Sequence, residues 1–219
     1  KEFGMNDGNG NSLKILDEND NIIDISRYPG LKVQFKGAGS NVIIRKPMRI
    51  KSCLIICGDN VNVNIGGDCD IGGHLHVFAT AKNRVVIGER CSFSGVTIRL
   101  QAEENLHVEI GNKCLFSTDI TIRSSDSHTI YDITTKEALN IPIGVNIGNH
   151  VWVGTGVDIM KNTRIPNDCV IAARALVSGQ FEQPNSIYGG IPAKLIKTNI
   201  NWSWKNTNNY HELRSKSAI

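Results

Sequence analysis

The chain has 219 residues, 40% hydrophobic and 21% charged, with a formal net charge of +3. This length fits one domain or two small ones, and the composition is that of a soluble protein. So weak a charge does not by itself imply nucleic acid, and there is no signal-peptide pattern or run of about 20 apolar residues, so a cytoplasmic protein without a transmembrane segment is expected.

The first four residues, KEFG, resemble a tag remnant and are set aside. Residues 1–30 as a whole form a polar N-terminal segment rich in Asn, Asp and Gly, with one apolar patch at Ile22-Ile23. They predict a loose lead-in, or a strand that caps the end of the main body. Strands are expected from residue 31. Three lines of similar wording come next: VNIGGDCDI (Val63–Ile71), VVIGERCSF (Val85–Phe93) and VEIGNKCLF (Val108–Phe116). VNIGNHVWV (Val145–Val153) is the fourth. Their Ile-Gly pairs begin at Ile65, Ile87, Ile110 and Ile147, at intervals of 22, 23 and 37 residues.

From Ile141 to Val177 the rhythm becomes strict. Ile141, Ile147, Val153, Ile159, Ile165, Ile171 and Val177 recur every six residues. The fifth position of each unit is slender: Val145, Val151, Val157, Thr163, Cys169, Ala175. A helix places apolar residues three and four apart and a strand two apart. Period six belongs to an all-β, parallel β-helix of hexapeptide repeats, three units to a triangular coil. One large aliphatic fills the interior of each unit, and a small residue fits where the corner crowds the axis. Eighteen residues make one coil, so intervals of 22 and 23 predict a small loop per coil, and 37 predicts nearly two coils. Of the six cysteines, Cys69, Cys91, Cys114 and Cys169 take the small fifth position, and Cys53 and Cys57 lie in an apolar run. All six are expected as core thiols rather than disulfides or ligands.

Residues 124–140 break the rhythm, as an inserted loop does, and such loops are where function concentrates. The loop holds His128 among Ser, Asp and Thr, a setting for a general base with a near-neutral pKa. Asp126 and Asp132 are candidates to orient its ring. Trp152 stands at an outward position where polar residues are usual. His74 and His76 alternate along one strand and lack a third ligand for a metal, and His107, His150 and His211 have no evident partner. Arg99 and Arg123 end the similar runs TIR on successive coils. The region 31–178 is read as the β-helix domain, and 179–219 as a C-terminal turn, strand and polar tail.

His128 lies 24 residues before Trp152, and Gly190–Lys194 reads GIPAK. Together with the repeats, these features resemble the hexapeptide-repeat acyltransferases, particularly the sugar and polysaccharide O-acetyltransferases, over roughly residues 85–197. The wording DSHTIYD at Asp126–Asp132 is similar to that of capsule and O-antigen O-acetyltransferases, including those acting on polysialic acid. The resemblance implies a left-handed coil, a homotrimer with sites between subunits, acetyl-CoA as donor, a carbohydrate acceptor and no metal. It implies catalytic roles for His128 and Trp152, with Trp152 also contacting the coenzyme beside the acyl and acceptor site. It places Thr155, Ala173 and Ser178 along the pantetheine arm, and Lys194 and Lys197 near the coenzyme phosphates. Arg174 joins them on charge alone. N-acetylation of an amino-sugar nucleotide, O-acetylation of serine, and a metal-binding or purely structural coil are the alternatives.

Overall fold

The computed structural model describes residues 5–210. The chain winds into a parallel β-helix of about seven turns. From the second turn on, each turn contributes to three faces; in the first, Ile22–Ile23 pairs antiparallel with Ser12–Leu16 and a 3-10 turn at Ile25–Arg27 stands in place of a second-face strand. The first face stacks Ser12–Leu16, Asn41–Arg45, Asn62–Ile65, Arg84–Ile87, His107–Ile110, Gly144–Ile147 and Thr163–Ile165, all parallel. The second face ends with Ser92–Phe93, Leu115–Phe116, Trp152–Val153, Val170–Ile171 and Ile187–Gly189. The third holds Leu31–Phe35 against Arg49–Asp59, then Asp70–Ala81, Val96–Glu104, Ile120–Arg123, Asp158–Ile159 and Leu176–Val177. Arg49–Asp59 and Asp70–Ala81 are long enough to turn the corner and serve two faces, which joins those faces into one hydrogen-bonded sheet.

The six-residue pattern does what its spacing predicts. From Val145 to Val177 every first and every fifth position is buried. Each large aliphatic so placed contributes roughly 1.5–3 kcal/mol of burial. Thr163 is tolerated inside because its hydroxyl donates to the Val177 carbonyl at 3.2 Å. The six thiols are all free and buried. Cys69, Cys91 and Cys114 donate to the carbonyls of Gly88, Gly111 and Gly148 on the next turn, at 3.2, 3.1 and 3.2 Å. Cysteine fits this position as a small apolar group with a weak donor.

Four expectations need correction. Ile141 is not inward: it is 64% exposed, because the returning leg of the insertion rejoins the coil only at Gly144. The coil does not begin near residue 31. Ser12–Leu16 is already a parallel rung, with Leu13 and Ile15 in the core. The surplus of the early turns does not form loops. It lengthens the third face by one inward residue per turn, as Cys57, Ala79 and Leu100 pair in register and stay buried, and the start of the first face by another, as Val61, Asn83 and Leu106 are buried too. Finally, the interval of 37 is one turn, not two, since Ile110 pairs directly with Ile147. The rest of that interval is the insertion.

The insertion leaves where the widened third face narrows. Leu100 extends past Arg99, which pairs with Arg123, the last residue of its strand. Ser124 and Ser125 fill the step and are buried, and Ser124 N–H donates to the Arg99 carbonyl at 3.1 Å. At the C-terminal end, Lys194–Lys197 turns back antiparallel to Ile187–Gly189. Residues 207–210 form one helical turn. The proposed tag residues and His211 lie outside the described residues.

Candidate active site

The insertion is folded back on itself. Tyr131 bridges Ala138, and Leu139 N–H donates to the Ile130 carbonyl at 2.8 Å. A polar knot ties it to the coil. Lys161 Nζ, on the next turn, reaches both Asp126 Oδ2 and the Asn140 carbonyl at 2.8 Å. Asn140 Nδ2 donates to Asp126 Oδ2 at 2.8 Å and to the His128 carbonyl at 2.9 Å, while its Oδ1 accepts Ile130 N–H at 2.8 Å. The knot therefore fixes the backbone that carries His128, whose ring is exposed.

Neither carboxylate expected to orient that ring is bonded to it. Asp126 is held below its ordinary value by the hydrogen bond from Lys161; burial opposes this and Asn140 adds to it. Asp132 accepts the Thr134 and Thr135 N–H groups at 2.7 and 2.8 Å, a turn cap that also lowers its pKa. Among the described residues nothing hydrogen-bonds the His128 ring.

Trp152 projects from the second face, 39% exposed, between Leu115 and Val170 on adjacent rungs. The insertion that carries His128 springs from the far edge of the third face. Within one chain the described residues show no contact between the two rings.

Several of the residues assigned to the coenzyme do come together. Thr155, Ala173 and Arg174 occupy the corner between the second and third faces, one turn above another. Arg174 N–H donates to the Thr155 carbonyl at 2.8 Å, and Thr155 faces Thr118 hydroxyl to hydroxyl at 3.4 Å. The Gly189–Lys194 turn lies on this corner: Leu176 N–H reaches the Gly190 carbonyl at 3.0 Å and Ala193 N–H the Leu176 carbonyl at 2.8 Å. Gly189 must lack a side chain, since a Cβ there would come within 2.7 Å of Ala172 Cβ. Arg174 lies across Gly156 and reaches Asp119 at 3.3 Å, an exposed pair of little energetic weight. Lys194 is exposed beside this turn, and Lys197 lies opposite Ile187 at the end of the second face. Ser178 stands apart, exposed at the corner between the third and first faces.

The remaining histidines are better partnered than their spacing suggests. His74 and His76 share the outward side of one strand with ring centroids 4.7 Å apart, and both are half-buried rather than fully exposed. Burial, then His74 and Arg99, push the His76 pKa down. No group of three metal-ligating side chains forms among the described residues. His107 Nε2 meets the Asn146 amide at 3.0 Å. His150 Nδ1 bonds Asp168 Oδ1 at 2.9 Å, and its ring lies flat on Trp202, 4.2 Å between centroids. Trp202 Nε1 donates to the His150 carbonyl at 2.8 Å, and its ring also packs 6.0 Å from Trp152 and 5.4 Å from Trp204. This aromatic cluster has no local spacing, because Trp202 lies 52 residues from His150. Three tryptophans in a polar chain are the only signal of it in the sequence.

No protein-family model matches the chain. It is 33% identical over 128 residues to the polysialic acid O-acetyltransferase of Escherichia coli O1:K1, a match covering 58% of this chain and 40% of that protein. It is 32% identical over 172 residues to the polysialic acid O-acetyltransferase of Neisseria meningitidis, covering 69% and 80%. Its fold superposes on the crystal structure of the polySia-specific acetyltransferase NeuO with a TM-score of 0.70 and 30% identity, over 85% of this chain and 87% of that one. The chain therefore belongs to the hexapeptide-repeat acetyltransferase family that includes the polysialic acid O-acetyltransferases, enzymes built on a left-handed parallel β-helix.

Proposed function

We propose that this protein transfers acetyl from acetyl-CoA to a hydroxyl of a bacterial surface polysaccharide, a capsule polymer of sialic-acid type, in the cytoplasm where the thioester is made. The observation that carries the proposal is the polar knot of Asp126, Asn140 and Lys161. A loop with no catalytic duty has little need for a half-buried ion pair to hold one exposed imidazole outward. In the reaction His128 accepts the proton of the sugar hydroxyl as its oxygen bonds the thioester carbon. The C–S bond breaks, and the coenzyme leaves as a thiolate that takes the proton back from His128. A positioned base of this kind accounts for about 10²–10⁴ in rate. Backbone N–H groups or the Trp152 indole N–H would stabilise the oxyanion between the two steps.

Thr155 and Ala173 would line the pantetheine arm, with Lys194, Lys197 and Arg174 toward the phosphates; Ser178, at the other edge of the third face, would join them only from a neighbouring copy. His128 and Trp152 stand on different faces of one coil, so the site would form between copies, in a homotrimer. Apolar side chains on the insertion support this: Ile130, Tyr131, Ile133 and Leu139, and Ile141 and Ile143 on its return, are all exposed, more than one loop leaves in water without a partner.

The test is acetylation from acetyl-CoA across polysialic acid, neutral polysaccharides, amino-sugar nucleotides and serine. Acetyl ester on polysialic acid, lost in His128→Ala with coenzyme binding retained, is the expected outcome. Transfer only to an amine or to serine overturns the acceptor class, and sustained turnover in His128→Ala removes that residue from the mechanism. Mixing inactive His128→Ala with inactive Trp152→Ala subunits would restore part of the activity if the site is shared. No recovery after subunit exchange overturns the shared site.

A further inference from the structure

The corner between the first and second faces carries side chains that acetyl transfer does not use. Asp68, Arg90, Lys113, His150, Asp168 and Asn185 occupy the same corner position on successive turns, all with φ between 52° and 59°. Each donates its backbone N–H to the turn below: Lys113 to Glu89, His150 to Asn112, Asp168 to Asn149. Between these rungs and the C-terminal segment lies an open hollow of about 600 Å³. Arg90, Lys113 and Trp204 are among the residues that line it. Asn112 and Asn149 also line it; their Oδ1 atoms accept the N–H groups of Glu89 and Asn112 at 2.8 Å, which leaves their amide N–H groups as donors. The hollow's one carboxylate, Asp168, is bonded to His150.

We infer that this hollow is a saccharide-binding subsite, which takes a non-reacting, carboxylate-bearing sugar of the acceptor chain. Three observations converge. An exposed indole offers a flat apolar face for the C–H face of a pyranose ring, and Trp204 is 50% exposed. Two cations against one engaged carboxylate favour an anionic group, with charge-assisted hydrogen bonds from Arg90 and Lys113. The amide donors suit hydroxyls. The hollow is also connected to the proposed reaction centre. Trp152, Trp202 and Trp204 follow one another at 6.0 and 5.4 Å, so one aromatic strip runs from the outward indole to the cationic corner. His150, pinned by Asp168, is the flat surface on which the middle ring rests. A coenzyme phosphate would satisfy the same cations: Lys194 and the Gly189–Gly190 turn lie at the other edge of the second face, whereas Lys197 pairs with Ile187 nearer this corner, and the test separates the two.

The inference rests on the acetyltransferase reading, and direct binding keeps the two apart. Binding of a defined sialic acid oligomer, of a neutral dextran oligomer and of coenzyme A is measured by calorimetry. The proteins are the full chain, Arg90→Gln/Lys113→Gln and Trp204→Ala, with acetylation followed on the oligomer and on a single sialic acid. The expected result is about tenfold weaker oligomer binding in each variant, and reduced salt sensitivity in the charge variant. Coenzyme affinity and turnover of the single sugar stay unchanged, and dextran does not bind detectably. Unchanged oligomer binding in both variants overturns the subsite. So does a loss of coenzyme affinity, which would assign the cations to phosphate. Oligomer binding that weakens in the variants of a protein with no acetyl transfer keeps the subsite and refutes the catalytic reading instead.

Discussion

Replacing Lys161 with Met should loosen the insertion without melting the coil. The Lys161 side chain is 16% exposed and that of Asp126 32%, between a surface pair, which contributes about 0–1 kcal/mol, and a buried one, whose disruption costs about 3–5 kcal/mol. The substitution also leaves the Asn140 carbonyl without its 2.8 Å donor. We take about 2 kcal/mol for local opening, or roughly a thirtyfold rise in the open population. Hydrogen exchange reads this directly. The amides of Ile130 and Leu139, bonded to Asn140 Oδ1 and the Ile130 carbonyl, should exchange about thirtyfold faster, while that of Arg164, bonded to Gly179 in the stack, should not change. Asp126 sets the pH dependence. Its carboxyl is lowered in the folded chain, so its stabilisation is fully present above the ordinary value of 3.8 and is lost as pH falls through the folded value below that. Protection of the insertion should be flat through neutral pH. Unchanged exchange in Lys161→Met, or loss of protection along the whole coil at once, would refute the idea that this knot holds the loop locally.

Phe116→Ala should cost about 3–5 kcal/mol in urea unfolding, because its ring is fully buried and stacks on Phe93 at 5.1 Å; a change under about 1 kcal/mol would mean the turn repacks. Burial pushes the Cys53 and Cys57 thiols up to about 12, and all six cysteines are buried. A thiol reagent at mildly alkaline pH should therefore label the native protein far more slowly than the denatured one, and rapid native labelling would contradict the core assignment. Lys194→Ala should raise the KM for acetyl-CoA more than that for the acceptor, and an unchanged coenzyme KM would remove Lys194 from the site.

The fold is legible wherever one residue type has to point inward at a fixed interval. Ile147 through Val177 can be placed from spacing alone because a triangular coil admits one large and one small group per unit. The first rung is not legible: Leu13 and Ile15 are only two inward residues in a polar run, too few to set a period. Ile141 keeps the six-residue step by coincidence of sequence while standing on the insertion's return. The widened third face escapes a reading by spacing because Cys57, Ala79 and Leu100 extend a strand by pairing across turns, which no single stretch reveals. The insertion announces itself by breaking the rhythm, and that break points to His128. The surroundings of His128 stay hidden, since Lys161 meets Asp126 only after the loop folds back. The stacking of Trp202 on His150 is likewise a product of the third dimension.

The left-handed corner between the first and second faces has a consequence for how such a protein changes over time. Aspartate, arginine, lysine, histidine, aspartate and asparagine occupy equivalent backbone sites there, from Asp68 to Asn185. Non-glycine residues are normally disfavoured in that conformation by roughly 1–2 kcal/mol, yet the scaffold imposes it whatever the side chain. Chemical character and architecture are thereby uncoupled along one edge, where neighbouring rungs lie about 4.8 Å apart. Mutation can rewrite the charge of that edge one step at a time, so a coil of unchanged shape can acquire affinity for a different polymer.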